Sequence, residues 1–342
     1  MRPCCNQDRA WNSYDLCCNV RIIFAIVQDL SMDPLSDVLA LLKPRSCASG
    51  GIDAGGELAL GFGVHEGIKC YAVVSGQCWL CVDGVPDAVS LKTGDCFVLP
   101  RGRPFHLTTD MTLTPVDAHT LFAPVRDGGI NTVNGGGRFL IVGGHFVLAG
   151  NHADVLLCSL PPVVHLRKES DKAALRWSIE RMMQELRERQ PGGFLIAQQL
   201  AYTMLIQALR LHLAEGPRGG VGWLFALADK QMSAAINAMH EDPARRWTLQ
   251  DLAQRVGMSR STFAQRFKET VGDSPMEYLT RWRMLLASDR LESSKDPVAA
   301  IALSLGYESE SAFSTAFKRV MGCSPRQYGR ERHRAEPASA SA

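Results

Sequence analysis

In the last third of the chain, apolar residues recur at a helical spacing, and the pattern occurs twice. Phe263 and Phe267 stand four residues apart, and Phe313 and Phe317 repeat that spacing fifty residues later. Side chains four apart lie on one face of a helix, so each pair predicts a helix with one buried face and one polar face. Two copies are too few for a solenoid, so the pattern predicts a duplicated helical unit.

A shorter apolar segment precedes each of these helices, at residues 249–256 and 298–305. Gly257 and Gly306 follow the two segments, and glycine readily adopts the positive φ that ends a helix. A serine two or three residues later can cap the next helix. This order is typical of a helix-turn-helix unit. For a single copy, a helical hairpin that only packs is the alternative.

Each copy ends in a signal for a further helix. Ser274-Pro275 and Ser324-Pro325 place a capping serine before a proline at the first helical position. The helix after the first copy is predicted to run from Pro275 to Glu292, about 27 Å at ~1.5 Å per residue. Adjacent major grooves on one side of a duplex are ~34 Å apart. A rod of this length can therefore set two helices into adjacent grooves.

These features resemble the DNA-binding domain of the AraC/XylS family of bacterial transcription regulators. The motifs that carry the resemblance are W-T-L-Q-D-L-A at 247–253, I-A-x-x-L-G-Y at 301–307 and G-C-S-P-R-Q-Y at 322–328, together with Pro275, Tyr278, Arg281, Arg283 and Ala287 on the joining helix. The resemblance covers residues 229–330. It implies two helix-turn-helix units joined by one long helix, double-stranded DNA as a partner, and activation through RNA polymerase.

The resemblance also implies which polar positions meet DNA. The positions that match base-facing residues are Ser261, Ala264, Gln265 and Lys268 in the first unit and Ser311, Ser314, Thr315 and Lys318 in the second. The predicted phosphate contacts, which anchor without specifying sequence, are Arg260, Lys268, Lys318 and Arg319. Gln265 can bond an adenine edge. The second unit has few long side chains for base edges, so we expect it to discriminate less.

The first half of the chain has a different texture, with short β-prone segments. They lie at residues 58–65, 69–74, 77–82, 89–91 and 96–99, separated by Ser75-Gly76, Asp83-Gly84 and Thr93-Gly94-Asp95. Asp-Gly between apolar segments is a strong hairpin signal. Many short strands at this spacing predict a barrel or jelly roll.

Within this region, the sequence G-D-C-F-V-L-P-R-G-R-P-F-H at 94–106 resembles the second half of a cupin motif. The resemblance implies a cupin-type sensory domain. Metal-binding cupins are built around a His-x-His pair, a Glu and a later His, whereas this chain offers His65-Glu66-Gly67 and a single later His106. A first-row metal usually needs three or more protein ligands. We therefore expect no metal and no cofactor, and an effector pocket with His65, Cys78, Cys96 and His106 as candidate residues.

The segment Cys78-Trp79-Leu80-Cys81 suggests a redox or zinc site. Residues three apart on a strand point to opposite faces, so the two sulfurs should diverge and buried apolar side chains are the favoured interpretation. A thiol-based response through Cys70, Cys78 or Cys96 remains an alternative hypothesis.

Residues 166–215 return to a helical period, in two segments separated by Pro191-Gly192-Gly193. They are predicted either to cover the barrel or, as the resemblance favours, to hold two copies in a homodimer. Gly216-Pro217-Arg218-Gly219-Gly220 indicates a linker at 216–228. The predicted domains are thus a sensory domain at 32–165, the helical pair, this linker and a DNA-binding domain at 229–332, followed by a disordered tail at 333–342.

Composition adds three expectations. The formal charge is only +2, but residues 229–334 carry 17 Lys and Arg against 13 Asp and Glu, a modest basic surplus. Eleven irregularly spaced cysteines without a secretory signal predict reduced thiols in a cytoplasmic, nucleoid-associated bacterial protein. Residues 1–31 show no periodicity, and we expect them to be disordered or untranslated, with translation starting at Met32.

The sequence thus predicts an α+β chain of two domains. An N-terminal cupin-like β-barrel carries a helical pair, and an all-α C-terminal domain holds two helix-turn-helix units. The predicted function is an effector-responsive, DNA-binding transcription regulator without enzymatic activity, acting as an activator. A metal-dependent cupin enzyme fused to a DNA-binding module is the alternative, and RNA binding is disfavoured because aromatic stacking platforms are missing.

Overall fold

The computed structural model describes residues 33–41, 44–121, 129–148, 160–188, 190–214, 222–294 and 296–335. The predicted N-terminal extension and the Gly216–Gly220 part of the predicted linker lie outside the described residues. In the described part of the chain, no helix is both long and apolar enough to cross a membrane.

The N-terminal domain is built from two sheets packed face to face. The strands are β1 (Pro44–Ala54), β2 (Ala59–Phe62), β3 (Ile68–Ser75), β4 (Gln77–Val82), β5 (Val89–Lys92), β6 (Cys96–Leu99), β7 (Phe105–Thr108), β8 (Val116–Asp117), β9 (Ile130–Val133), β10 (Phe139–Leu148) and β11 (Val164–Leu166). One sheet has the order β11-β6-β3-β10-β1-β9 and the other the order β5-β4-β7-β2-β8. The two sheets form the predicted cupin-like architecture.

The space between the sheets is filled by the alternate side chains that face inward from both. Leu60, Leu80, Phe97, Leu107 and Ile141 belong to this inner core and are each no more than 3% exposed. On β3 the alternation is clear, because Val73 joins the inner core whereas Ile68, Cys70 and Ala72 face the helices on the other side of the six-stranded sheet. A period of two along the strand produces these two faces.

Three helices share an apolar core with the outer face of the six-stranded sheet. They are α1 (Pro34–Leu41), α3 (Glu169–Glu188) and α4 (Gly193–Ala214), and a short helix α2 (Ala118–Leu121) lies between β8 and β9. α3 and α4 pack along each other, and α4 rests on β1, β3, β6, β10 and β11. Leu175, Met182, Met204 and Ala208 are fully buried in this layer.

The C-terminal domain is entirely helical among its described residues. Its helices are α5 (Trp223–Ala226), α6 (Lys230–Glu241), α7 (Leu249–Arg255), α8 (Arg260–Val271), α9 (Pro275–Ser293), α10 (Val298–Ser304), α11 (Glu310–Met321) and α12 (Pro325–Ala335). The pairs α7–α8 and α10–α11 are the two predicted helix-turn-helix units, and α9 is the predicted joining helix. The predicted fold class is confirmed.

The helices of this domain contribute buried residues to two apolar cores. The first continues from α1, α3 and α4 through α6, α7 and α8 to the N-terminal part of α9, without a break at the domain boundary. The second is separate and contains Met284, Ala287 and Leu291 of α9 with the apolar residues of α10, α11 and α12. α9 therefore contributes to both cores.

The structure also corrects and extends the predicted elements. The segment predicted as a strand at 58–65 is a strand only over Ala59–Phe62, because the chain turns through Gly63 and Gly67 to reach β3. The long central strands β1 and β10 were not predicted. Each contains a Gly-Gly pair, and glycine lowers β propensity. These glycines fit where backbones crowd: a Cβ at Gly143 would lie 2.1 Å from the Cys70 carbonyl oxygen.

Candidate nucleic-acid interface

The two exposed helices, α8 and α11, are built by the same local chemistry. Ser259 precedes α8, and its hydroxyl accepts a hydrogen bond from the Thr262 N–H at 3.3 Å. Ser309 precedes α11 and accepts from the Ala312 N–H at 3.2 Å. Both helices end at a left-handed glycine, which has no Cβ to strain this conformation. The predicted caps are confirmed.

The exposure of side chains repeats along the two helices. From 261 to 270 and from 311 to 320, every position falls in the same class of buried, half-buried or exposed. Phe263, Phe267, Phe313 and Phe317 are 0% exposed. The polar stripe of α11 is therefore presented in the same way as that of α8.

The structure places every residue predicted to meet DNA on these outward stripes. The exposed members are Arg260, Ser261, Gln265, Lys268, Ser311, Thr315, Lys318 and Arg319, and the half-buried ones are Ala264 and Ser314. None of the four cationic side chains forms an ion pair with another described residue, so their charge is available to an outside anion. The Gln265 side-chain amide donates to the Glu269 carboxylate at 2.9 Å, a bond that must break if Gln265 is to meet a base.

The joining helix begins with a reciprocal cap. The Ser274 hydroxyl accepts from the Glu277 N–H, and the Glu277 carboxylate accepts from the Ser274 N–H, with Pro275 at the first helical position. Hydrogen bonds from the Ser274 side chain and backbone N–H to the Glu277 carboxylate lower the pKa of Glu277. The helix has 19 residues and spans about 28 Å at ~1.5 Å per residue.

An ion pair that the sequence did not predict fixes the first unit to the helix before it. The Arg266 guanidinium, on the half-buried side of α8, donates to Asp229 and to the Gln231 side chain. Asp229 also caps α6, since its carboxylate accepts from the Gln231 and Met232 N–H groups. Burial by itself raises the pKa of Asp229, but these hydrogen bonds outweigh it and hold the pKa below its usual value.

Comparisons with known proteins agree with this architecture. The family model described as Cupin matches residues 33–214, just over half of the chain, and the model described as Helix-turn-helix domain matches residues 252–331. A putative AraC-like transcription regulator of Streptomyces lividans is 45% identical over 298 residues, which cover 87% of this chain and 98% of that protein. The chain belongs to the AraC-like transcription regulators. It is a DNA-binding transcription regulator with a cupin domain, and the family expectation is confirmed.

Further similarities of this AraC-like regulator are more distant. RclR of Escherichia coli (strain K12), an RCS-specific HTH-type transcriptional activator, is 30% identical over 310 residues, or 89% of this chain and 99% of that protein. The DNA-binding domain of AdpA, solved in complex with a target DNA, is 31% identical and covers 30% of this chain and 93% of its own, with a TM-score of 0.29.

The four residues predicted for an effector pocket do not form one site in the regulator. Cys78 lies in the inner core of the barrel. Cys96 faces the opposite side of its sheet, toward the helices, with its sulfur 3.9 Å from that of Cys70. His106 lies beside Cys81 and lines a cavity together with Phe62 and Phe105, whereas the His65 ring packs edge-on against Phe105. Strand alternation separates them, which spacing along the sequence did not reveal.

The predicted divergence of Cys78 and Cys81 is confirmed. β4 alternates in burial along its length, with Cys78 buried and Cys81 half-buried on the other face. Among the described residues, no group of three or more His, Cys, Asp or Glu side chains is arranged to hold a metal ion.

The sensory domain meets the first helix-turn-helix unit through a buried histidine of α6. His240 Nδ1 lies 3.1 Å from the Asp37 carboxylate on α1, and its Nε2 lies 2.9 Å from the Tyr278 hydroxyl on α9. The ring stacks on Trp282 at a centroid distance of 3.7 Å. Burial lowers the pKa of His240, and Asp37 opposes that shift. The neutral ring therefore donates to Asp37 and accepts from Tyr278.

Proposed function

We propose that the regulator places α8 and α11 in two adjacent major grooves on one side of a duplex. The observation that carries this proposal is the identical exposure of side chains along the two helices, at a constant offset of fifty residues. The joining helix supports it, because its length of about 28 Å is close to the ~34 Å between such grooves.

The side chains on the two outward stripes divide into two groups by chemistry. Gln265 can donate to and accept from an adenine edge, the hydroxyls of Ser261, Ser311, Ser314 and Thr315 can bond bases directly or through water, and Ala264 can meet a thymine methyl. Lys268 and Lys318 lie on the same stripes, and they join Arg260 and Arg319 as phosphate contacts. Such contacts position the protein and make its affinity depend on salt.

The test begins with selection of preferred duplexes from a random pool by the full chain. We expect two conserved blocks about one helical turn apart. On the selected duplex, Lys268→Ala and Lys318→Ala should each lower the dependence of log Kd on log salt by about 1. Lys92→Ala is the matched control, because Lys92 is exposed on β5 of the barrel. A single conserved block, or an unchanged salt dependence in both variants, would falsify the two-groove arrangement.

We also propose that the regulator acts as a homodimer through the α3–α4 pair. Trp177 of α3 is 66% exposed and Leu195 of α4 is 64% exposed, a large apolar area for one helical pair. Trp177→Lys with Leu195→Lys should convert a dimer into a species of one 37.5 kDa chain in light scattering. Trp79→Lys, at an exposed position on β4, should leave the mass unchanged. A wild-type protein that is monomeric at micromolar concentration contradicts this arrangement.

We propose, finally, that binding of an effector in the cytoplasm changes the sensory domain and thereby activates transcription. A ligand shifts a conformational equilibrium only through different affinities for the two states. The continuous core between the barrel helices and the first unit supplies a physical connection for such a shift. Transcription in vitro with purified RNA polymerase from a selected site tests the sign of control, and lower transcript yield on adding the protein would contradict activation.

A further inference from the structure

The open end of the barrel holds a lysine ammonium that has no acidic partner among the described residues. Lys69 lies on the inward side of β3, in register with His145 of β10 and Leu99 of β6. The neighbouring inward positions, Tyr71 and Val73, pack into the inner core. No described carboxylate forms an ion pair with Lys69, and Glu66 nearby is exposed. A cation is therefore held at the edge of an apolar interior.

Two aromatic rings bound the space in front of this ammonium. Lys69 Nζ lies 5.8 Å from the Phe62 ring centroid and 5.9 Å from that of Phe105. The two rings stack with their centroids 4.5 Å apart. Cation–π contact offsets only part of the cost of moving an ammonium out of water.

Two histidines complete the cluster. The His65 ring lies 5.7 Å from that of His145 and 5.8 Å from that of Phe105. Both ring nitrogens of His65 are buried without a well-formed hydrogen bond among the described residues, and the Gly63 backbone is the group that approaches them. His145 Nε2 lies 2.5 Å from the Glu66 carbonyl oxygen, which can only accept, so Nε2 carries the proton. His65 therefore has unused hydrogen-bonding capacity in the described structure.

Burial is the main cause of the shifted ionisation of these groups. Burial lowers the pKa of Lys69 to about 8. Burial and then the charge of Lys69 lower the pKa of His65 to about 4, and the same two causes lower the pKa of His145 against the opposing effect of the Glu66 backbone and carboxylate. At neutral pH the cluster thus carries one positive charge, on Lys69. An anion placed there would raise all three pKa values.

We infer that the barrel mouth, formed by Phe62, His65, Lys69, Phe105 and His145, binds a small organic monocarboxylate with an apolar body. This inference rests on the proposed effector response and names the chemical class of the effector. The carboxylate meets the Lys69 ammonium and a His65 ring nitrogen, while the body of the ligand packs against the Phe62 and Phe105 rings.

The class of ligand follows from charge and surface. One ammonium balances one negative charge, whereas a phosphate dianion is usually held by arginine forks or several backbone N–H groups. The two stacked rings offer an apolar wall and no further polar group, which suits an aromatic or aliphatic body. A sugar would need several polar partners for its hydroxyls, and the mouth offers few.

The test measures thermal stability and calorimetric binding of the full chain with benzoate, butyrate and octanoate, each against its uncharged amide. We expect at least one carboxylate to raise Tm at millimolar concentration and its amide to have no effect. Lys69→Met, which keeps the length of the side chain, should abolish the shift. Lys92→Met is the matched control and should retain it. The inference is wrong if no carboxylate binds, or if Lys69→Met binds as tightly as the wild type.

Two readouts separate a ligand site from a structural role of Lys69. Without ligand, Lys69→Met should melt at the same temperature as the wild type or higher, because it removes an unpaired buried charge. A clear loss of Tm means that Lys69 has a structural partner and overturns the inference. Affinity for the carboxylate should also fall about tenfold per pH unit above about 8, as Lys69 loses its proton. An affinity that does not change over that range contradicts an ammonium contact.

The outcome can be told apart from failure of the proposed function. Lys69→Met should bind the selected duplex like the wild type in the absence of ligand, because the barrel mouth is not part of the DNA-facing helices. If carboxylates bind but leave DNA affinity and transcription unchanged, the effector response fails while the site stands. If cell extract changes the affinity of the protein for DNA but no carboxylate binds, only the proposed chemical class of the effector is wrong.

Discussion

The two helix-turn-helix units have the same outer surface but different inner surroundings. Phe267 packs edge-on against Tyr278 in the first unit, and Phe317 packs in the same way against Tyr328 in the second. The Tyr278 hydroxyl meets His240 in a buried cluster that includes the sensory domain. The Tyr328 hydroxyl instead meets Glu292 of α9, within the second unit's own surroundings. The two units therefore present the same pattern of exposed positions but differ in the residues that pack against their inner faces.

This difference sets the route that the proposed effector response can take to DNA. The first unit shares one continuous core with α1, α3 and α4, so a change in the sensory domain can act on it by direct packing. The second unit has its own core and is joined to the rest through α9 and the loop after α6, where a surface ion pair links Arg246 and Glu308. We therefore expect the first unit to respond to the sensory domain and the second to follow through α9.

The largest loss of stability is expected from removing the equivalent phenylalanine from each core. Phe267→Ala and Phe317→Ala should each cost about 4 kcal/mol of unfolding free energy, because both rings are fully buried. Hydrogen exchange should show different extents of loosening. Phe317→Ala should raise exchange only in residues 296–335, whereas Phe267→Ala should also raise it in α1.

Mass spectrometry of exchanged peptides measures this directly, with Trp79→Ala at an exposed position on β4 as the control. An equal rise of hydrogen exchange in α1 in both variants would show that the two cores are coupled. Loosening of α1 by neither would show that the first core does not carry a signal across the domain boundary.

The next largest effect concerns the glycines that end the first helix of each unit, which should differ in how much an alanine substitution destabilises the protein. Gly257 and Gly306 both have a positive φ, of 68° and 80°. A Cβ at Gly306 would lie 2.1 Å from the Ala244 carbonyl oxygen, whereas a Cβ at Gly257 meets nothing within 4 Å. Gly257→Ala should therefore cost about 1 kcal/mol for its φ alone. Gly306→Ala should cost about 3 kcal/mol, because the backbone of the α6–α7 loop must also move.

Urea unfolding of both variants, followed by helical circular dichroism, gives the two values. Equal costs would mean that the loop around Ala244 moves easily, and the contact between the second unit and that loop would then be too weak to couple the units.

The sequence predicted the elements with strong local signals. The serine caps, the glycine ends and the two phenylalanine pairs determine α8 and α11 by local chemistry, and the strands between Asp-Gly turns follow from alternation. The separation of Cys78 from Cys81 followed from the same alternation. These features depend on neighbours in the sequence, which is why a single sequence was enough.

Contacts between distant segments could not be predicted in this way. Asp37 and His240 are 203 residues apart and meet only because α1 packs on α6. Lys69 and His145 face each other through the register of β3 and β10, and β10 was not predicted because Gly143-Gly144 weakens its strand signal. Cys78 and Cys96 were grouped as pocket residues because both lie in the barrel region, and strand register places them on opposite sides of a sheet.

Removing the hydroxyl from either of the equivalent tyrosines should lower the free energy of unfolding by a smaller amount. Tyr278→Phe should cost about 2 kcal/mol, because it leaves the buried Nε2 of His240 without its hydrogen-bond donor. Tyr328→Phe should cost about 1 kcal/mol or less, since the half-buried Glu292 carboxylate can turn to water. Thermal melts compare the two variants, and equal losses would show that the His240 cluster adds nothing beyond an ordinary hydrogen bond.

The same cluster should make stability depend on pH. Burial lowers the folded-state pKa of His240, so below its ordinary value of about 6.5 the unfolded chain takes up a proton that the folded chain does not. Stability should therefore fall on acidification through that pH, by at most about 1.4 kcal/mol per unit. His240→Gln should remove this part of the pH dependence. An unchanged profile would mean that His240 binds its proton equally in both states.

The smallest expected effect concerns the outer surfaces, which are matched in exposure but not in chemistry. Gln265 and Thr315 occupy equivalent exposed positions on α8 and α11. Gln265→Ala should reduce discrimination at one base pair by about 1 kcal/mol, because only the longer amide can form two hydrogen bonds to a base edge. Thr315→Ala should change discrimination by less, since its hydroxyl already donates to the Ser311 carbonyl oxygen. Affinities for every single-base variant of the selected duplex decide this, and equal information in the two half-sites would contradict it.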